Sequence, residues 1–195
     1  FSSEEVRPYF PLPRVLEGMF EVVNRLFGIR VQPARSMPQV WHPDVYFFEI
    51  IDVEEIMRGQ FYLDLYARSN KRGGAWMANC IDRCRRPDGS IETPVAFLTC
   101  NFAPPVDGKP SLLTHEDVLT LFHEFGHGLH HMLTRVDEPA VAGTNGVPWD
   151  AVELPSQFME NWCWEDTGLD LVSGHVESGK CLPPHLLQKL QGAKN

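Results

Sequence analysis

Two histidines and a glutamate in the second half of the chain have the spacing of a zinc site. His123, Glu124 and His127 form the pattern H-E-x-x-H within the segment from Thr114 to Thr134. An α-helix turns about 100° per residue, so side chains four positions apart lie nearly one above the other. His123 and His127 can therefore hold one metal ion, while Glu124 can reach a water molecule bound to that ion. The pattern predicts a zinc hydrolase with Glu124 as general base.

The segment around this pattern, residues 114–134, is predicted to be one largely buried helix. Thr114 is a suitable N-cap, and Asp117 stands where a capping box requires an acceptor. Burial of charged and polar groups without partners is costly. Gly126 and Gly128 weaken a helix interior by about 1 kcal/mol each relative to Ala. A metal site explains a helix with these features better than two core histidines and a surface Glu do.

A catalytic zinc ion needs a third protein ligand and an open fourth position. One common form of the motif continues with Gly and then His at fixed positions, which are occupied here by His130 and Leu133. The other form takes a Glu from a later helix. Glu153 lies 26 residues after His127, within a helix predicted over residues 150–165.

The expected place of Glu153 within that helix follows from Pro155. Proline is tolerated only near the start of a helix, which puts Glu153 in the first turn with Asp150 as the cap. Glu160 then shares a helical face with Glu153 and is a candidate hydrogen-bond partner for a zinc-binding histidine. Spacing favours Glu153 as the third ligand and leaves His131, one turn beyond the motif, as the alternative.

The remaining elements predict an α+β fold with a zincin-like catalytic core. This core is predominantly helical, with a small β-sheet and an active-site helix that carries the H-E-x-x-H motif. Helices are predicted over 11–27 and 183–193, strands over 45–51, 60–67 and 94–102, and a hairpin turn at Asp88-Gly89. Residues 1–9 are polar and are expected to be frayed.

Composition restricts the function classes. The 195 residues carry 17 basic and 26 acidic side chains, a net charge of -9, which argues against a nucleic-acid surface and a basic membrane patch. No apolar run reaches membrane-spanning length. Five cysteines and the lack of an Asn-x-Ser/Thr sequence favour a reducing compartment, and a cytoplasmic location is expected. The first residue is Phe1, so an excised or processed piece is expected.

Several stretches together resemble the thimet oligopeptidase family of zinc metallopeptidases, most closely its bacterial members. The resemblance runs over essentially the whole chain, and its motifs are residues 64–68, 71–76, 98–102, 123–131, 143–146 and 153–162. It implies one Zn²⁺ per chain with His123, His127 and Glu153 as ligands and Glu124 as catalytic base. It also implies cleavage of short peptides in a narrow channel, beside a flexible loop that contains Gly143 and Gly146.

Members of that family are much longer, and this chain resembles their catalytic centre alone. The expected organisation is one catalytic-core unit over residues 1–195, with a helix and small sheet in 1–113 and zinc-binding helices in 114–195. The remaining N- and C-terminal parts of a full-length peptidase are its expected partners. The resemblance implies that the family's carbonyl-binding Tyr and His belong to the C-terminal part. No tyrosine of this chain follows the zinc motif, since all four precede it: Tyr9, Tyr46, Tyr62 and Tyr66.

These features predict a zinc metallo-oligopeptidase whose isolated core is a weak enzyme or an inactive one. The alternative is a non-catalytic, zinc-stabilised peptide-binding module, in which a fourth protein ligand closes the metal site. His131 and Glu160 are the candidates for that fourth ligand. An aminopeptidase is a further alternative, but the sequence has no motif that would hold a free peptide N-terminus.

Overall fold

The computed structural model describes residues 3–193 as an α+β mixture of helices and a small sheet. The strands in this range are β1 Arg30–Pro33, β2 Tyr46–Ile51, β3 Met57–Tyr66, β4 Trp76–Ile81, β5 Cys84–Arg85, β6 Ile91–Glu92 and β7 Val95–Phe102. The α-helices are α1 Ser3–Val6, α2 Leu12–Phe27, α3 His115–Met132, α4 Leu154–Glu160, α5 Asp166–Val172 and α6 Pro184–Gly192. None of these helices is long and apolar enough to cross a membrane.

The main sheet has the strand order β1-β2-β3-β7-β4. All neighbours are antiparallel except β3 and β7, which are parallel. Strand β4 is therefore an edge strand, paired with β7 on one side. Strands β5 and β6 form a separate hairpin. Its turn contains the predicted Asp88-Gly89 pair, and Gly89 has a φ of 84° that favours glycine.

One face of the main sheet packs against α2 and α3. Phe125 of α3 lies between Phe61 of β3 and Phe20 of α2, with ring centroids 5.4 and 6.0 Å away. Burying a side chain of this size contributes roughly 1.5–3 kcal/mol. The apolar side of α3 is thus fixed on the sheet, and its other side remains for polar groups.

Most predicted elements are confirmed. The helices over 11–27, 114–134 and 183–193 correspond to α2, α3 and α6, and the three predicted strands correspond to β2, β3 and β7. Helix α2 ends at Gly28, whose φ of 64° gives the left-handed cap that glycine provides.

The helix predicted over residues 150–165 is wrong in its extent. Residues 148–152 form turns, α4 begins at Leu154 with Glu153 as its cap residue, and a 3-10 turn follows at Asn161–Cys163. A helix starting at Asp150 would place Pro155 in its interior, where proline cannot donate the required hydrogen bond. The later start puts Pro155 in the first turn. Helix α5 was not predicted.

One other expectation fails, and two strands were not predicted. Residues 3–9 are helical rather than frayed: Val6 is fully buried, and the Arg7 side chain donates to the carbonyl oxygen of Leu112 at 3.2 Å. Residues 1 and 2 lie outside the described range. The edge strands β1 and β4 were not predicted, because neither sequence has the apolar alternation of a half-buried strand.

Candidate metal centre

Helix α3 begins with a complete capping box. The Thr114 hydroxyl accepts a hydrogen bond from the Asp117 backbone N–H at 3.1 Å, and the Asp117 carboxylate accepts one from the Thr114 N–H at 2.9 Å. A cap of this kind contributes about 1 kcal/mol. The next residue, His115, is buried with its Nε2 2.9 Å from the carbonyl oxygen of Cys163. These contacts fix the start of the helix that carries the motif.

Three of the predicted site residues lie together at the polar side of α3. The Nε2 atoms of His123 and His127 lie 3.2 and 3.1 Å from the same oxygen, Oε2 of Glu153. The two imidazole rings are 4.9 Å apart and nearly perpendicular, at 84°. Within residues 3–193 this is the one group of three or more His, Cys, Asp or Glu side chains whose donor atoms all lie within 4.8 Å of one another.

These distances fit a zinc ion. Donor atoms about 2.0–2.1 Å from a tetrahedral zinc ion lie about 3.3 Å from one another. The observed separations of 3.1–3.2 Å between Nε2 of each histidine and Oε2 of Glu153 are close to this value. The donors are two imidazoles and one carboxylate, the set found in one class of catalytic zinc sites. The assignment of these residues as zinc ligands stays a prediction, and the geometry is compatible with it.

The carboxylate of Glu160 determines which nitrogen of His123 carries the proton. Glu160 Oε1 lies 2.6 Å from Nδ1 of His123. Because a carboxylate only accepts, the proton is assigned to Nδ1, which leaves a lone pair on Nε2. Nε2 lies 3.2 Å from an oxygen of Glu153, a separation at which a metal ion or a proton between the two atoms would stabilise the pair. The predicted location of Glu160 beside a motif histidine is thus observed.

Close packing of α4 on α3 brings Glu153 to the histidines. A Cβ atom added to Gly126 would lie 2.6 Å from Cα of Ser156 and 2.7 Å from the carbonyl oxygen of Pro155. Only glycine permits this approach without movement of the backbone. The hydroxyl of Ser156 lies 2.9 Å from Oε2 of Glu153 and can donate to it, which fixes the carboxylate on the side facing α3.

Glu124 lies beside this group of donors and lines the same surface cavity as His123 and Glu160. Its side chain is buried, with 8% of its surface exposed. Burial raises the pKa of the Glu124 carboxyl, and the charge of Glu153 adds to this; the neighbouring His123 and the backbone N–H of Met77 act in the opposite direction. A carboxylate with a raised pKa is a better proton acceptor near neutral pH, as a general base requires.

His131 lies elsewhere, on the sheet side of α3. It is 1% exposed, and its Nε2 is 3.0 Å from the carbonyl oxygen of Ile81 and 3.2 Å from that of Val95. Its ring therefore contacts the ends of β4 and β7 instead of the group around Glu153.

The pKa of His127 is lowered. Burial is the largest cause, and it outweighs the charge of Glu153, which raises the pKa. The shift favours the neutral imidazole that a metal ion needs.

The predicted substrate loop is attached to β4. Gly143 and Gly146 have φ angles of 60° and 72°, which favour glycine. Between them, Thr144 and Asn145 each form a hydrogen bond with the side chain of Asn79. Asn79 was not among the predicted site residues, because β4 was not predicted and no local pattern connects residues 65 positions apart.

The chain is similar to one peptidase family and to several named peptidases. The model of peptidase family M3 matches residues 1–195. Oligopeptidase A of Escherichia coli is 60% identical over 194 residues, which are 100% of this chain and 28% of that protein. Organellar oligopeptidase A, chloroplastic/mitochondrial, of Arabidopsis thaliana is 48% identical over 197 residues, 99% of this chain and 25% of the relative.

A more distant relative carries a different name. Dipeptidyl carboxypeptidase of Salmonella typhimurium is 40% identical over 193 residues, covering 98% of this chain and 28% of that protein. The chain thus spans 25–28% of the length of these three relatives. The family resemblance expected from the sequence motifs is confirmed over the whole chain.

Proposed function

The chain belongs to peptidase family M3, and we propose that it forms the zincin-like catalytic core of a zinc metallo-oligopeptidase, which hydrolyses peptide bonds in short peptides. The observation that supports this most directly is the convergence of two imidazole nitrogens on one oxygen of Glu153, at 3.2 and 3.1 Å. A metal cation at this point would be bound by all three atoms.

The residues around this point have distinct roles in the proposed reaction. A zinc ion bound by His123, His127 and Glu153 would lower the pKa of a water molecule and polarise the scissile carbonyl group. Glu124 accepts a proton from the attacking water and later donates it to the leaving amine. The raised pKa of Glu124 suits both transfers, because the group has to bind and release a proton near neutral pH.

The arrangement favours an open catalytic site over the closed, structural alternative. Glu160 makes its contact with Nδ1 of His123, the nitrogen that points away from Glu153. His131 contacts the carbonyl oxygens of Ile81 and Val95. Both candidates for a fourth protein ligand are therefore engaged elsewhere, which leaves a fourth position for water or substrate.

We further propose that this core works within a longer peptidase in the cytoplasm. The chain spans 28% of Oligopeptidase A of Escherichia coli, and the division into a sheet-bearing part, 1–113, and a zinc-binding part, 114–195, is a proposal about that core. All five cysteines are free thiols in the structure, as expected in a reducing compartment. A relative from Arabidopsis thaliana is named probable cytosolic oligopeptidase A.

The proposed function is tested with Glu124→Gln in the native full-length protein. We expect zinc content near one per chain in both proteins, and a loss of peptide cleavage of about 10²- to 10⁴-fold in the variant. Cleavage is measured with an internally quenched short peptide, and zinc by mass spectrometry. Glu177→Gln, which removes the same charge from an exposed position, is the control. Normal cleavage by Glu124→Gln would exclude this mechanism.

A further inference from the structure

The carboxamide of Asn79 connects the edge strand β4 to the loop of residues 143–149. Its Oδ1 accepts a hydrogen bond from the hydroxyl of Thr144 at 3.1 Å. Its Nδ2 donates to Oδ1 of Asn145 at 3.1 Å and to Oδ1 of Asp82 at 2.9 Å. Three of the four hydrogen bonds available to a carboxamide are therefore made, two of them to the loop.

The partners fix the orientation of this carboxamide. The carboxylate of Asp82 only accepts, so the nitrogen of Asn79 must face it. Asn145 uses its own Nδ2 to donate to the carbonyl oxygen of Pro139 at 2.8 Å, which leaves its Oδ1 for Asn79. Each of these polar groups can therefore act in only one way, as the donor or the acceptor described. An aspartate at position 79 would lose both donor contacts and would stand beside Asp82 with the same charge.

A second contact holds the start of the same loop. A Cβ atom on Gly143 would lie 2.8 Å from Cα of His131, so the loop backbone packs directly on the end of α3. The other end of the loop is different, since Trp149 is 92% exposed. The loop therefore has an anchored first half and a projecting second half, and the anchor points are α3 and β4.

The anchored half lies close to the proposed catalytic base. Strand β4 packs beside α3, and the backbone N–H of Met77 on β4 is close enough to the Glu124 carboxyl to lower its pKa. Asn79 lies two residues further along the same strand, about 6.6 Å away and on the same face. A peptide that extends from the metal centre along β4 by two residues therefore arrives at the loop that Asn79 holds.

We propose that Asn79 is a positioning residue, which fixes loop 143–149 as a wall of the substrate groove for peptides that extend at least two residues along β4 from the metal centre. This inference rests on the proposed function. It assigns a length-dependent role to the loop: peptides too short to reach it are cleaved independently of Asn79, and longer peptides depend on it.

The test compares two variants in the native full-length protein with a series of quenched peptides of increasing length. Asn79→Ala removes the link from the strand side, and Thr144→Val combined with Asn145→Ala removes it from the loop side. We expect both to raise KM for the longer peptides by about five- to tenfold, the size of losing one or two neutral hydrogen bonds. KM for the shortest peptide, kcat and zinc content stay within twofold of the wild-type values.

A control variant and one structural measurement complete the test. Asn24→Ala removes a hydrogen bond to the carbonyl oxygen of Ile29 at the end of α2, and should leave KM unchanged at all lengths. Hydrogen exchange of residues 143–146 should become faster in both loop-releasing variants and not in the control. This exchange also verifies that the variants are otherwise folded.

The outcomes separate the inference from the function on which it rests. If the wild-type protein cleaves peptides, Glu124→Gln does not, and Asn79→Ala matches the wild type at every length, only the inference is wrong. An increase in KM for Asn79→Ala without one for the loop-side double variant would also overturn it, because Asn79 would then act through Asp82. If the wild-type protein cleaves no peptide, both the function and the inference fail.

Discussion

The α3–α4 pair and the junction between β4 and loop 143–149 hold their polar groups in different ways. In the helix pair, two imidazole nitrogens and one carboxylate oxygen converge with electron-rich atoms facing each other. In the junction, each donor of Asn79 faces an acceptor, and its acceptor faces the hydroxyl of Thr144. On the proposed assignment a metal ion joins the groups of the first region, whereas in the second the protein itself supplies matched donors and acceptors.

The largest effect should follow from removing one imidazole of the helix pair. We expect His123→Ala to weaken zinc binding by more than about 100-fold, beyond the effect of losing a partner carboxylate, and to lower thermal stability because metal binding is coupled to folding. Zinc is measured after dialysis of the full-length protein. His185→Ala, at an exposed position in α6, is the control. Full zinc content in His123→Ala would remove His123 from the ligand set.

A smaller effect is expected at the partner carboxylate. Glu160→Gln keeps the shape of the side chain but removes the charge that holds the proton on Nδ1 of His123, at 2.6 Å. We expect zinc affinity to fall about 10- to 100-fold, measured by competition with a chelator of known affinity. Equal affinities in the variant and in Glu177→Gln would show that Glu160 does not act on the metal centre.

The packing between the two helices is tested by a matched pair of glycines. Gly126→Ala places a methyl group against the backbone of Pro155 and Ser156, and should destabilise the protein by about 1–3 kcal/mol in urea unfolding. Gly128→Ala meets the movable side chain of Leu98 at 3.1 Å, and the better helix propensity of Ala offsets this contact by about 1 kcal/mol. If both variants lose equal stability, the close approach of α4 is not the cause.

The smallest expected change tests most directly whether the α3–α4 pair and the junction between β4 and loop 143–149 are independent. Removal of zinc by a chelator should speed hydrogen exchange in α4, because its Glu153 loses the ion that ties it to α3. Exchange at residues 143–146 should stay within about twofold, since the hydrogen bonds of Asn79 are complete without a metal ion. A loop that exchanges as fast as α4 after chelation would mean that the two regions are not independent.

Local patterns were enough to predict the elements that carry the chemistry. The capping box at Thr114 and the four-residue spacing of His123 and His127 are properties of one helix, and the structure has them as expected. The joint placement of Glu153 and Glu160 on one side of a later helix was also expected, and both contact His123. The predicted start of that helix is wrong, because a helix capped by Asp150 would place Pro155 beyond its first turn.

The packing that brings these distant segments together could not be predicted. The choice between Glu153 and His131 depends on which of them reaches the histidines, and this is decided by the packing of Gly126 against Ser156 and by the carbonyl oxygens around His131. Gly126 attracted attention in the sequence only as an unfavourable helix residue. The structure supplies the reason, which is the space that α4 occupies.

The sequence by itself predicted the type of chemistry, because the helical spacing of H-E-x-x-H places two imidazoles within reach of one metal ion and a carboxylate within reach of a water molecule bound to it. Only the tertiary structure decided which later side chains lie beside the two histidines and how the loop is held. His123 meets Glu160 across 37 positions, and Asn79 meets Thr144 across 65. Hydrogen bonds between residues so far apart in the sequence depend on how helices and strands pack, and no periodic pattern within one segment predicts them.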